Sequence, residues 1–168
     1  MLKRSDIAGM LLESLRDTNS LLRRAHAAAV EQQGALVKND VEALVRTCRL
    51  QEELLKRIAE CDRKAADAAT ELAISAGLDP DTIDVNAIGQ LIAPDAAEEL
   101  QSELAAISVA AAELQEANEI NHKLLSNGLE IIACCLRTIA CDTGPAPYSK
   151  EAGITESEPC ILSLDTKA

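Results

Sequence analysis

Apolar residues recur along this chain in steps of three and four for most of its length, the spacing that puts side chains on one face of an α-helix. From about residue 5 to 37, the positions Ile7, Leu11, Ser14, Thr18, Leu21, Ala25, Ala28 and Gln32 form one stripe, broadened by Leu15, Leu22 and Ala29. Lys38-Asn39-Asp40 breaks the pattern, and Asn39 or Asp40 can cap a second helix. This second helix is predicted over 40–76, through Val41, Leu44, Val45, Cys48, Leu55, Ile58, Ala65, Ala69 and Leu72, with Gly77 as its stop. The stretch 77–94, GLDPDTIDVNAIGQLIAP, changes composition. It reads as an ordered crossover with a short helix at about 84–91, because Ile83, Val85, Ile88, Leu91 and Ile92 are too apolar for a free linker.

A third long helix is predicted over 95–141, with Asp95 as its cap and Glu98 as the capping-box partner. Leu100, Leu104, Ile107, Ala111, Leu114, Asn118, Asn121, Leu125, Gly128, Ile132, Cys135 and Ile139 follow one another in heptad steps. That is the signature of a seam winding left-handed around its neighbours. About 45 residues at 1.5 Å rise make a rod on the order of 65 Å long. The expected fold is therefore all-α: an antiparallel bundle of three long helices within 1–141, with a short crossover helix and a flexible tail over 142–168. Asn118 and Asn121 interrupt the third seam. Either they fix its register by bonding a buried group, or they mark a place where it opens. Leu124, Leu125, Leu129, Ile131, Ile132 and Leu136 supply more apolar surface than one stripe requires, and surplus of this kind suits a partner helix.

Composition supports the helical reading. There is no Trp, no Phe and a single Tyr, Tyr148, so the core must be built from aliphatic residues and alanine, which suits closely packed helices rather than strands. The net charge of −12 argues against a nucleic-acid partner. It is unevenly spread: Met1 to Lys38 carries six basic and four acidic residues, whereas Leu78 to Cys141 carries two basic and eleven acidic. A partner touching the second half should be neutral or basic there. No apolar stretch is long enough to span a membrane. The opening MLKRSDIAGMLLESL puts polar residues where the apolar run of a secretion signal would lie, so a cytosolic protein is expected.

The tail reads DTGPAPYSKEAGITESEPCILSLDTKA from Asp142, with no helical periodicity and three of the five prolines. Its island Cys160-Ile161-Leu162 with Leu164 is either local packing or a docking segment. Candidate chemistry is sparse. The six cysteines include no C-x-x-C pair and read as reduced thiols. His26 and His122 have no ligand-spaced neighbours, and adjacent pairs such as Glu52-Glu53 point about 100° apart on a helix. No phosphate loop or nucleophile motif occurs, so neither catalysis nor a cofactor nor a metal is expected.

The segment from Leu114 to Gly153, LQEANEINHKLLSNGLEIIACCLRTIACDTGPAPYSKEAG, resembles the C-terminal half of the FlgN family of flagellar export chaperones. The resemblance is carried by paired asparagines, Asn118 and Asn121, by the apolar run that begins at Leu124 and Leu125, and by a Pro- and Gly-containing segment with Tyr148 and Gly153. LVKNDVEALVRTCRLQEELLKRIAE is similar to the family's turn into its second helix. The resemblance implies a cytosolic chaperone that holds the C-terminal helices of the hook-associated proteins FlgK and FlgL and presents them to the flagellar type III export gate and ATPase. It places partner binding on Asn118, Asn121, Leu124, Leu125, Leu129, Ile132 and Leu136, and an export-gate contact on Tyr148. The alternatives are a self-associating coiled-coil structural or adaptor protein and a helical metal or redox sensor. The several cysteines and the tail beyond Gly153 depart from the family pattern.

Overall fold

The computed structural model describes residues 3–80 and 84–142. Within them the chain forms four helices and no strand: α1 (Arg4–Lys38), α2 (Val41–Ala76), α3 (Val85–Leu91) and α4 (Pro94–Asp142).

Local chemistry sets the helix ends. Asn39 ends α1 in the left-handed region at φ 54°, which Asn tolerates better than most side chains. The Asp40 N–H then donates back to the Ala35 carbonyl at 2.9 Å, while its carboxylate accepts from the Ala43 N–H at 2.9 Å to start α2. Gly77, at φ 72°, ends α2, and the Leu78 N–H closes the turn on the Ala73 carbonyl at 3.0 Å. Asp84 caps α3 through the Ala87 N–H at 2.7 Å. The last helix starts one residue earlier than its sequence suggests. Pro94 takes the first helical position, where a missing N–H costs nothing, and Asp95 lies inside the first turn, its charge at the positive end of the helix, rather than capping it.

The chain divides into two compact units, Met1–Glu130 and Ile131–Ala168, and the division falls within α4. In the first unit α1 and α2 run antiparallel, as shown by cross-links whose order reverses: Arg4 donates to the Ser75 carbonyl at 2.6 Å, Thr18 to Asp62 at 3.2 Å and Gln32 to Cys48 at 3.1 Å. Links from α1 to α4 keep their order instead, so these two run parallel: Arg16 to Glu99, Asn19 to Glu103 at 3.1 Å and Asn121 to the Ala29 carbonyl at 2.9 Å.

Two aliphatic clusters hold this unit together. One gathers Ile7, Leu11, Leu15 and Leu72 with Ile88 of α3 and Leu100 of α4, and the other joins Leu21, Ala25, Leu54, Ile58, Cys61 and Ala110. Burial of this surface is the main stabilising term, at roughly 25 cal/mol per Å² of apolar area removed from water. Every expected stripe residue of α1 is buried, Ser14, Thr18 and Gln32 included. In the first half of α2 the expected face is displaced. Val41, Val45 and Leu55 are exposed, and Ala43, Thr47 and Leu54 point inward. Ala43 and Thr47 are smaller than the valines they replace on the inward face and leave room for the neighbouring helix, and Thr47 satisfies its hydroxyl on its own helix, at the Ala43 and Leu44 carbonyls.

Candidate functional site

The α4 seam is also displaced by one position over its middle. Ala110 and Ala117 are buried and Leu124 is half-buried, whereas Ala111, Asn118 and Leu125, expected inward, are exposed. The shared positions Ile107, Leu114, Asn121 and Gly128 all lie at least partly buried. Hydrophobicity alone could not separate the two flanks, since each offers an alanine and a leucine at matching places.

Asn121 is 4% exposed. Its amide nitrogen donates to the Ala29 carbonyl at 2.9 Å and to Gln32 Oε1 at 3.0 Å, and Gln32 Nε2 in turn reaches Cys48 Sγ at 3.1 Å. One polar layer thereby crosses α4, α1 and α2. Asn121 Oδ1 and Gln51 Nε2 are buried without a partner. Nothing in the sequence singles out Gln32 as the acceptor for Asn121, because the two stand far apart in the chain and meet only through packing.

Asn118 faces outward, where it lines a shallow groove of about 510 Å³ with Leu22, Leu114, Glu119 and His122. Further along the first unit, Leu125 is 43% and Leu129 66% exposed. The second unit, taken by itself, continues the helix with Ile131, Ile132, Leu136 and Ile139 all exposed and with Cys135 exposed beside them. Large aliphatic side chains left in water make each stretch, taken by itself, a candidate interaction surface. Glu113, Glu116, Glu119 and Glu130 are exposed on the same helix, against the single cation Lys123 between Pro94 and Glu130, which favours a partner of neutral or basic flank. Tyr148, the Cys160 to Leu164 island and the rest of the expected tail beyond Asp142 lie outside the described residues.

A second apolar area went unforeseen: Val37 closes α1, and Val41 and Val45 open α2, all well exposed, with Arg46 and Arg49 beside the two α2 valines. Val41 and Val45 were expected on the inward stripe, but at the start of α2 they lie exposed. Among the described residues no cluster of three or more His, Cys, Asp or Glu side chains could hold a metal ion. No helix among them is long and apolar enough to cross a membrane. Among the described residues Cys61 carries a displaced titration. Burial pushes its thiol up, with Asp17 and Asp62 adding to the effect and Lys64 and Arg57 opposing it. A thiol held neutral in this way is a packing residue rather than a nucleophile.

Compared with known protein families, residues 8–152 match the family described as FlgN protein. No curated protein and no solved structure matches the chain.

Proposed function

Because this chain belongs to the FlgN family of flagellar export chaperones, a chaperone family rather than an enzyme family, we propose that it binds the C-terminal helices of the hook-associated proteins FlgK and FlgL in the cytoplasm and delivers them to the type III export apparatus. The observation that carries this reading is the exposure of large aliphatic residues on α4: Leu125 and Leu129 in the first unit, Ile132 and Leu136 in the second. Cargo ends that form coiled coils outside the cell require an apolar helical partner inside it, and a helix presenting leucine and isoleucine at heptad-like intervals meets that need. The fold that supports it, in this reading, is an antiparallel bundle of three long helices with α3 as a crossover piece.

In this reading Asn118 borders the cargo contact at its groove, and Tyr148 makes the aromatic contact to the export gate. The experiment is a titration of FlgK and FlgL C-terminal fragments against the full chain and against Leu129→Asp, together with an assay of FlgK and FlgL secretion in cells carrying a chain that ends at Ile139. Leu129→Asp should weaken binding by on the order of 10-fold or more, since a charge placed in an apolar contact is left unpaired. The shortened chain should keep its helical circular dichroism and lose delivery. Unchanged affinity in Leu129→Asp would remove α4 from the cargo site, and normal secretion with the shortened chain would remove the role of Tyr148.

A further inference from the structure

We infer that Asn118 and Asn121 act as a pair that fixes the rotation of α4 about its own axis, and thereby decides that Leu125 rather than Leu124 is offered to a partner. The functional meaning of this pair rests on the chaperone reading above; its structural content does not.

Two seams are written into α4 between Ile107 and Gly128. They share Ile107, Leu114, Asn121 and Gly128, and differ in one flank, Ala110, Ala117 and Leu124 against Ala111, Asn118 and Leu125. Since successive residues are about 100° apart on a helix, exchanging flanks is a roll of roughly 50° with the helix otherwise in place. Alanine replaces alanine and leucine replaces leucine, so apolar burial hardly distinguishes the two. The exception is the middle pair, Ala117 or Asn118.

Both asparagines favour the observed roll, by opposite means. Asn118 stays in water at the groove with Leu22 and His122, and the alternative would draw its amide into the seam. Asn121 is held inside. Its Nδ2 donates to two acceptors at once, the Ala29 carbonyl and Gln32 Oε1, and Gln32 is itself tied to Cys48. An inverted Asn121 amide would set its oxygen against those same two acceptors, so the orientation is fixed as well as the position. With α4 in this rotation, Asn118, His122, Leu125 and Leu129 follow in steps of four, three and four along one exposed face. In the other rotation Leu125 would leave that face and Leu124 would take its place outside.

The test introduces L124C and L125C separately into the full chain, with and without Asn118→Leu/Asn121→Leu, and follows maleimide labelling peptide by peptide, the native cysteines serving as internal references. With the asparagines present, the thiol of L125C should react ~10-fold faster than that of L124C, because labelling follows exposure. In the double leucine variant the difference should shrink to about twofold or invert. A preference that persists undiminished there, or near-equal rates with both asparagines in place, would overturn the inference. If the double variant loses its helical circular dichroism, Asn118→Leu alone supplies the decision, since that side chain is exposed: a reduced preference supports the pair and an unchanged one overturns it. A preference that collapses while the FlgK fragment binds as before would uphold the rotation and instead remove Leu125 from the cargo surface.

Discussion

The Cys61 thiol sits in the second aliphatic cluster beside Leu54 and Ile58, and its raised pKa is a statement about stability. The folded chain holds this proton more tightly than the unfolded chain does. The contribution is therefore complete below the ordinary thiol pKa and is lost as the pH climbs through the raised value. Urea midpoints should fall between neutral and alkaline pH, and Cys61→Ala should show a shallower fall than the unmodified chain; equal slopes would mean that the thiolate is tolerated in place. Asn121 illustrates a different limit at this scale. Its polarity could be seen in the sequence, and so could the two roles open to it, but its partners could not, because Ala29 and Gln32 reach it only across an interface between helices. Asn121→Ala strands the acceptor on Gln32 and thins the seam, and should destabilise the chain by about 2 kcal/mol in denaturant titration.

At the level of elements, helix ends were far more legible than helix faces. Asn39-Asp40, Gly77 and Asp84 act on backbone groups within a few residues of themselves, so the sequence alone locates where α1 and α2 stop and where α2 and α3 start. Asp40→Ala should accordingly lower stability by about 1 kcal/mol, whereas Asn39→Gly should leave it unchanged or slightly raised, because glycine accepts φ 54° without strain. Thermal unfolding of the two variants checks this, and a loss on Asn39→Gly as large as that of Asp40→Ala would show that the turn depends on the asparagine side chain. Faces were misread for two reasons. In α4 Ala110 and Ala117 were passed over for Ala111 and Asn118 because the two flanks carry matching apolar residues, and in α2 Ala43 and Thr47 were passed over in favour of the larger Val41 and Val45. Counting apolar residues rewards size, whereas helices in near contact reward the lack of it. In α1 the two criteria coincide, and the stripe was read correctly down to Gln32.

Across the whole molecule, the all-helical class was the most legible property, because the absence of Trp and Phe and the abundance of Ala and Leu exclude most alternatives before any periodicity is considered. The aliphatic core makes a quantitative demand. Leu72, fully buried between α1 and α2 and packed in the cluster that includes Ile88 and Leu100, should cost about 3 kcal/mol when cut to alanine, measured by urea unfolding. Self-association is the competing use for the exposed aliphatics of α4. A chaperone that must release its cargo should reach monomer on dilution, whereas a scaffold should hold its mass at every concentration. Light scattering over a dilution series should show a falling mass that settles at that of one chain.

The short connection between α1 and α2 limits the freedom of these two helices. Asn39 and Asp40 alone join α1 to α2, and with both residues committed to backbone hydrogen bonds the hairpin has no slack with which to slide. Gly77 to Ala93 joins α2 to α4 and carries α3, whose Ile88 is packed in the cluster with Leu72 and Leu100. When a visiting coil competes for contacts, the hairpin therefore behaves as a fixed rail.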